Sequence, residues 1–197
     1  MKQELQRTGS AKRSTTETQI EVTLSLDGAG DCDSETGIGF LDHMLGALAK
    51  HALCDLTIRC EGDLHVDDHH TSEDCALALG EALNKALGDR NGIRRFGDAM
   101  APLDESLARA VVDLSGRPHA TIHLGIGAQP LGNWSSENVV HFFRSFATSA
   151  RLCLHLDVLR GENDHHRVEA AFKALALAIR DAKSPSGAGV PSTKGAL

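Results

Sequence analysis

The sequence predicts an α+β fold made by internal duplication, with two packed layers of strands and helices in each of two similar halves. Three repeated patterns predict it. Two His-His pairs occur, His69-His70 in DDHHTSED and His165-His166 in ENDHHRVEA, and Glu73 or Glu169 follows three residues after the second histidine of each. With the pairs 96 residues apart, Ala76 aligns with Phe172, Leu79 with Leu175 and Leu83 with Ile179, the apolar spacing of one helical face. Upstream, LDHMLGALA (41–49) matches VVHFFRSFA (139–147), which sets His43 against His141.

Each half reads in the same order. IEVTLSLDG (20–28) and ARAVVDLSG (108–116) alternate and end at glycine, as a strand entering a turn does. A helix carrying one histidine follows, then a strand (55–60 or 152–159), then the helix opened by the His-His pair. Asp67 or Asp68, and Asn163 or Asp164, can accept the free N–H groups of those helix starts. Glycines and basic residues interrupt the apolar pattern at 88–97, which divides the chain into 1–92 and 93–197.

Composition narrows the function. The 197 residues carry a net charge of −7, and only 4% are aromatic with no tyrosine, which argues against nucleic acid as a partner. Hydrophobic and charged fractions of 41% and 24% are those of a globular protein, and no apolar run is long enough to cross a bilayer. The polar N-terminus has no apolar segment behind its basic residues, so a cytoplasmic location is expected. Five cysteines without a CxxC pattern fit reduced thiols better than a disulfide frame or a zinc finger. The unusual count is the 11 histidines.

Their spacing points to metal. Residues four apart on a helix share a face and neighbours diverge by about 100°, so His69 with Glu73, and His165 with Glu169, can share an ion. A lone His-His pair is ordinarily filler; two pairs with the same glutamate and an equivalent upstream histidine are not. The arrangement using every ligand places His43, His70, His165 and Glu169 on one ion and His141, His166, His69 and Glu73 on the other. The i, i+3 spacing of His70 and Glu73 leaves another grouping open. Nitrogen and oxygen donors without thiolate suit Mn, Fe or Zn, and manganese would need favourable availability because it binds such sites weakly.

GFLDHML, DLHVDDHHTSED, GIRRFG, PLDESLARAVVDLSGRPH, ENDHHRVEAAFKALALAI and PSTKG together make the chain resemble, nearly end to end, the imidazoleglycerol-phosphate dehydratases of histidine biosynthesis. The resemblance is to the monofunctional type. It implies halves like the second domain of ribosomal protein S5, and a 24-subunit homo-oligomer of trimers. It also implies two Mn²⁺ per active site, held at sites shared between subunits. The reaction implied is loss of water from D-erythro-imidazole-glycerol phosphate to give imidazole-acetol phosphate. The proton lost lies beside no carbonyl, so a metal-held imidazolate would expel the neighbouring hydroxyl through a diazafulvene-like intermediate.

The same resemblance assigns residues. Glu17 in STTETQ becomes a substrate contact and the candidate for proton transfer, beside His43, His70, His141, His166 and Glu169 as catalytic positions. His51, Arg95, Arg117, Lys173, Ser192 and Lys194 become substrate-binding positions, the cations for the phosphate, and the PSTKG tail a loop closing over substrate. Arg94 is left as structural. Gly46, Ala47 and the segment 125–134 depart from the family's pattern and touch only pocket detail. Two rivals share the ligands: a di-metal phosphoester hydrolase, which needs no imidazole-sized gap, and a non-catalytic metal shell, which leaves Arg95, Arg117 and PSTKG without a use.

Overall fold

A computed structural model describes residues 7–187 and 189–193 of the chain. The first half runs β1 (Thr8–Ser14), β2 (Thr18–Ser25), β3 (Cys32–Glu35), α1 (Gly39–Ala52), β4 (Asp55–Gly62) and α2 (His69–Leu87). The second repeats it: β5 (Phe96–Leu103), β6 (Ser106–Asp113), β7 (His119–His123), α3 (Ser136–Ser149), β8 (Cys153–Arg160) and α4 (Asp164–Ala182). Each half forms one four-stranded sheet, ordered β1-β2-β4-β3 and β5-β6-β8-β7, antiparallel except for the parallel β3/β4 and β7/β8 pairs. The two orders are the same order, so the duplication read from the sequence is a duplication of topology.

Alternation explains how the sheets face. Ile20, Val22 and Leu24 of β2, and Ala108, Ala110 and Val112 of β6, are buried, while Glu21, Thr23, Arg109 and Val111 between them point outward. Helices α1 and α2 cover the inner face of the first sheet and α3 and α4 that of the second; α1 then packs on α4 and α2 on α3. The order of layers is sheet, helices, helices, sheet. Two glycines set how closely helix and strand approach: a Cβ on Gly9 would come 2.0 Å from Ala82 O of α2, and one on Gly97 2.1 Å from Ala178 O of α4. Lys183, 6% exposed, follows α4 and donates to the carbonyls of Leu26 and Leu53, tying the second half to the first.

The halves are filled differently. Trp134, Phe142, Phe143 and Phe172 form a buried ring cluster in the second half, and Trp134 Nε1 donates to Ser72 Oγ across to α2. The first-half counterparts of the three phenylalanines are aliphatic or small: Met44, Leu45 and Ala76. All five cysteines are free thiols.

The helix starts resolve the capping alternatives. Asn163 Oδ1 accepts from the amides of His165 and His166, at 2.9 and 3.4 Å, and Asp67 Oδ1 accepts from His69 N at 2.8 Å. Asp68 instead takes the amide and hydroxyl of Ser135, at 2.6 and 2.7 Å, which fixes the start of α3 beside the start of α2.

Candidate functional site

The pairing of helices from opposite halves creates two clusters. On α1 and α4, His43 Nε2 and His165 Nε2 each lie 3.2 Å from Glu169 Oε2. On α2 and α3, His141 Nε2 lies 3.1 Å from Glu73 Oε1, and His69 Nε2 lies 3.9 Å from Glu73 Oε2. In each group one donor atom per residue falls within 4.8 Å of the others. Such spacings suit three ligands on one divalent ion, since bonds of about 2.0 to 2.2 Å hold adjacent donors roughly 3 to 3.5 Å apart. Two imidazoles and a carboxylate, with no sulfur, fit the Mn, Fe or Zn class.

The surroundings aim these side chains. His69 Nδ1–H donates to Asn138 Oδ1 at 3.0 Å, which leaves Nε2 as the free ligand atom. Phe40 packs edge-on against His165 with ring centroids 4.9 Å apart. Lys173 Nζ reaches Glu169 Oε1 at 2.7 Å. Burial opposes ionisation of Glu169, but Lys173 and His43 outweigh it and hold the carboxyl below its ordinary range. His51, farther along α1, is pushed down first by burial and then by the Lys173 charge, and Glu169 opposes this.

The four-ligand grouping does not form within one chain. His70 and His166 do not join either cluster, because each is the divergent neighbour on its helix and turns about 100° away. Nδ1 of His70 meets Asp63 Oδ2 at 3.0 Å and its Nε2 lies 3.6 Å from Glu17 Oε1. Nδ1 of His166 meets Glu105 Oε2 at 2.7 Å and its Nε2 lies 3.9 Å from Asp104 Oδ2. The Asp63 bond raises the pKa of His70, and the Glu105 bond that of His166. Glu105 itself is driven far below its usual range, first by the Asn163 amide and then by His166 and the Glu162 amide.

Of the cations expected to hold phosphate, Arg95 and Arg117 lie away from both clusters of their own chain. Arg95 N donates to Ala182 O at the C-terminal end of α4, thirteen residues or about 20 Å of helix from Glu169. Its guanidinium holds Asp113 at 2.7 and 3.1 Å and donates to Pro191 O at 2.8 Å, so it anchors the tail just before Ser192. Arg117 follows β6 beside Gly116, whose carbonyl receives Arg151 Nε beyond the C-terminal end of α3. That is about 15 Å of helix from His141. Neither arginine meets the clusters of its own chain, whereas Lys173 does. Lys194 lies outside the described residues.

Asp63, Glu105, Asn138 and Phe40 were not singled out from the sequence. A signal existed for the first two, since a ligating histidine commonly gives its second N–H to a carboxylate, and both acids sit in the quoted motifs. Asn138 and Phe40 carried none.

The fold and these clusters define a duplicated α+β protein in which each half lends a helix to each of two His/His/Glu centres. Residues 36–179 match the family model described as imidazoleglycerol-phosphate dehydratase. The enzyme of that name from Candida glabrata is 54% identical over 205 residues, covering 94% of this chain and 98% of that protein. The one from Phytophthora nicotianae is 59% identical over 192 residues, 97% of this chain but 42% of that longer protein. Solved structures agree: the dehydratase from Staphylococcus aureus superposes with a TM-score of 0.82 at 35% identity, covering 91% of this chain and 99% of that one. The dehydratase from Pyrococcus furiosus gives 0.81 at 36%, covering 94% and 99%. The chain belongs to the imidazoleglycerol-phosphate dehydratase family, whose members are hydro-lyases.

Proposed function

We propose that this chain dehydrates D-erythro-imidazole-glycerol phosphate to imidazole-acetol phosphate in histidine biosynthesis. It does so in the cytoplasm, as a homo-oligomer of trimers with 24 subunits, using two Mn²⁺ per active site. The observation that carries this reading is the incompleteness of each cluster. Each has three ligands on one chain, and each chain holds His70 and His166 apart with their second nitrogens fixed by Asp63 and Glu105. A neighbouring copy that supplies one such imidazole completes a four-ligand site and leaves coordination positions for substrate. Shared sites also give Arg95, Arg117 and Ser192 a use, because groups remote from the clusters of their own chain can face a neighbour's.

When bound, the ions would supply Lewis acidity to the nitrogens of the substrate ring. The chain's own residues do the rest. His43, His165 and Glu169, and His69, His141 and Glu73, hold the two positions; Asn138 and Asp63 fix which ring nitrogen faces inward. Glu17 carries the proton from substrate carbon, and the hydroxyl departs from the adjacent carbon, so that one water leaves.

The test is turnover of imidazole-glycerol phosphate by chelator-stripped protein with Mn²⁺ restored, read as the absorbance of the ketone product's enolate in strong base. Product that depends on added metal supports the dehydratase. Metal uptake without product, or hydrolysis of simple phosphoesters, would overturn it.

A further inference from the structure

The duplication is broken at one place that bears on Glu17, the turn between β1 and β2. In the second half the equivalent turn is two residues, Asp104 and Glu105, and Glu105 reaches His166 directly. In the first half the turn is longer, Thr15, Thr16 and Glu17, and a longer turn would let Glu17 wander unless something held it.

Two layers of bonds hold it. Within the turn, Thr15 Oγ1 accepts from the amides of Glu17 and Thr18 at 3.1 and 3.0 Å, and Thr15 N donates to Thr18 O at 2.9 Å. From below, Asp74 of α2, 5% exposed, accepts from the Thr18 hydroxyl at 2.6 Å and from Arg13 Nε at 2.7 Å. Asp74 is thus fastened to both strands that flank the turn. Thr18 is itself 2% exposed, so its hydroxyl has no water to turn to. Asp74 also follows Glu73, a member of the α2/α3 cluster, so one turn of helix carries both the cluster ligand and the anchor of the Glu17 turn. At the equivalent position of α4 stands Ala170, where no turn needs anchoring.

We propose that Asp74 and Thr18 are positioning residues whose bonds pin Glu17 beside His70, 3.6 Å from its Nε2. The inference rests on the role given to Glu17 above. The pin acts on orientation, so its loss should appear in turnover rather than in substrate affinity or metal content.

The test compares Thr18→Val, nearly isosteric but without the hydroxyl, with Thr18→Ser and Asp74→Asn, each alone and with Glu17→Gln. Turnover of imidazole-glycerol phosphate, bound manganese and backbone hydrogen exchange of residues 14–19 are measured. Thr18→Val is expected to lower kcat by on the order of tenfold to a hundredfold, with KM and manganese content unchanged and exchange in 14–19 faster even in metal-free protein. Thr18→Ser should restore kcat, and Glu17→Gln with Thr18→Val should be no slower than Glu17→Gln alone. If Glu17→Gln is impaired but Thr18→Val is silent, or multiplies the loss, the pin is overturned while the Glu17 role stands. If Glu17→Gln keeps full kcat, the Glu17 role falls and the pin's catalytic purpose falls with it, whatever the exchange rates show.

Discussion

The imidazole of His69 on α2 donates through Nδ1 to Oδ1 of Asn138 on α3, 3.0 Å away, so the packing of two helices from opposite halves decides which nitrogen of His69 is free to bind. Asn138 is 4% exposed, and no water can substitute for its side chain there.

Replacing Asn138 by leucine should therefore loosen that centre without unfolding the chain. Partners of this kind commonly change metal affinity by about 10- to 100-fold. Titration calorimetry of Mn²⁺ into metal-free protein should show one class of sites weakened and the other unchanged. Two unchanged classes would mean the bond does not orient His69.

Gly80 governs the same helix contact from the packing side. A Cβ there would come 2.7 Å from Phe146 O and 2.8 Å from Ala150 N of the α3 end, both backbone atoms that cannot swing away. Gly80→Ala should destabilise the fold by about 1 to 3 kcal/mol despite the better helix propensity of alanine, and should lower manganese occupancy at the α2/α3 centre. Chemical denaturation and metal analysis check both. A stabilised variant would show that the helices can separate freely.

Asp55 offers a stability measurement away from the two His/His/Glu clusters. Its Oδ1 accepts from the amides of Ala29, Gly30 and Asp31, at 2.8, 3.0 and 3.0 Å, and these bonds, led by Asp31, depress its pKa. A depressed carboxyl stabilises the fold above its unfolded pKa of about 3.9 and loses that contribution as pH falls through the lower, folded value. Asp55→Asn should be less stable than the parent at pH 7 by about 1 to 2 kcal/mol, with the gap closing below about pH 4. Denaturation across pH measures it; a gap independent of pH would mean that the charge is immaterial.

Metal should stabilise the folded chain in proportion to occupancy. At free Mn²⁺ near one hundred times the dissociation constant, each occupied site adds about 2.7 kcal/mol. Glu73→Ala and Glu169→Ala should each abolish one centre and reduce that gain, which a thermal shift with and without chelator would show. An undiminished shift in both variants would place the metal elsewhere.

Sequence alone was informative wherever chemistry was local. The i, i+4 pairs His69/Glu73 and His165/Glu169 needed only helical geometry, and the duplication joined His43 to the second pair and His141 to the first. Within one chain His70 and His166 stand apart from both clusters, because helix geometry says that they point away from Glu73 and Glu169 but not what lies in that direction; Asp63 and Glu105, from strand ends, lie there. Arg95 read as a phosphate cation because its motif matched, yet its contacts are Asp113 and the tail, about 20 Å of helix from the nearest cluster.

The sequence by itself determined the family, the duplicated α+β architecture and the residues of the two His/His/Glu clusters, because periodicity and repeated motifs are properties of a single strand or helix and survive without knowledge of neighbours. Tertiary structure decided which helices meet, that each cluster draws on both halves, which nitrogen of His69 faces inward, and that three residues of each grouping converge within one chain. Those facts depend on close approaches such as Gly80 against Phe146 and on partners distant in sequence such as Asn138 and Asp74, and no local pattern records a contact between residues that meet only when the chain has folded.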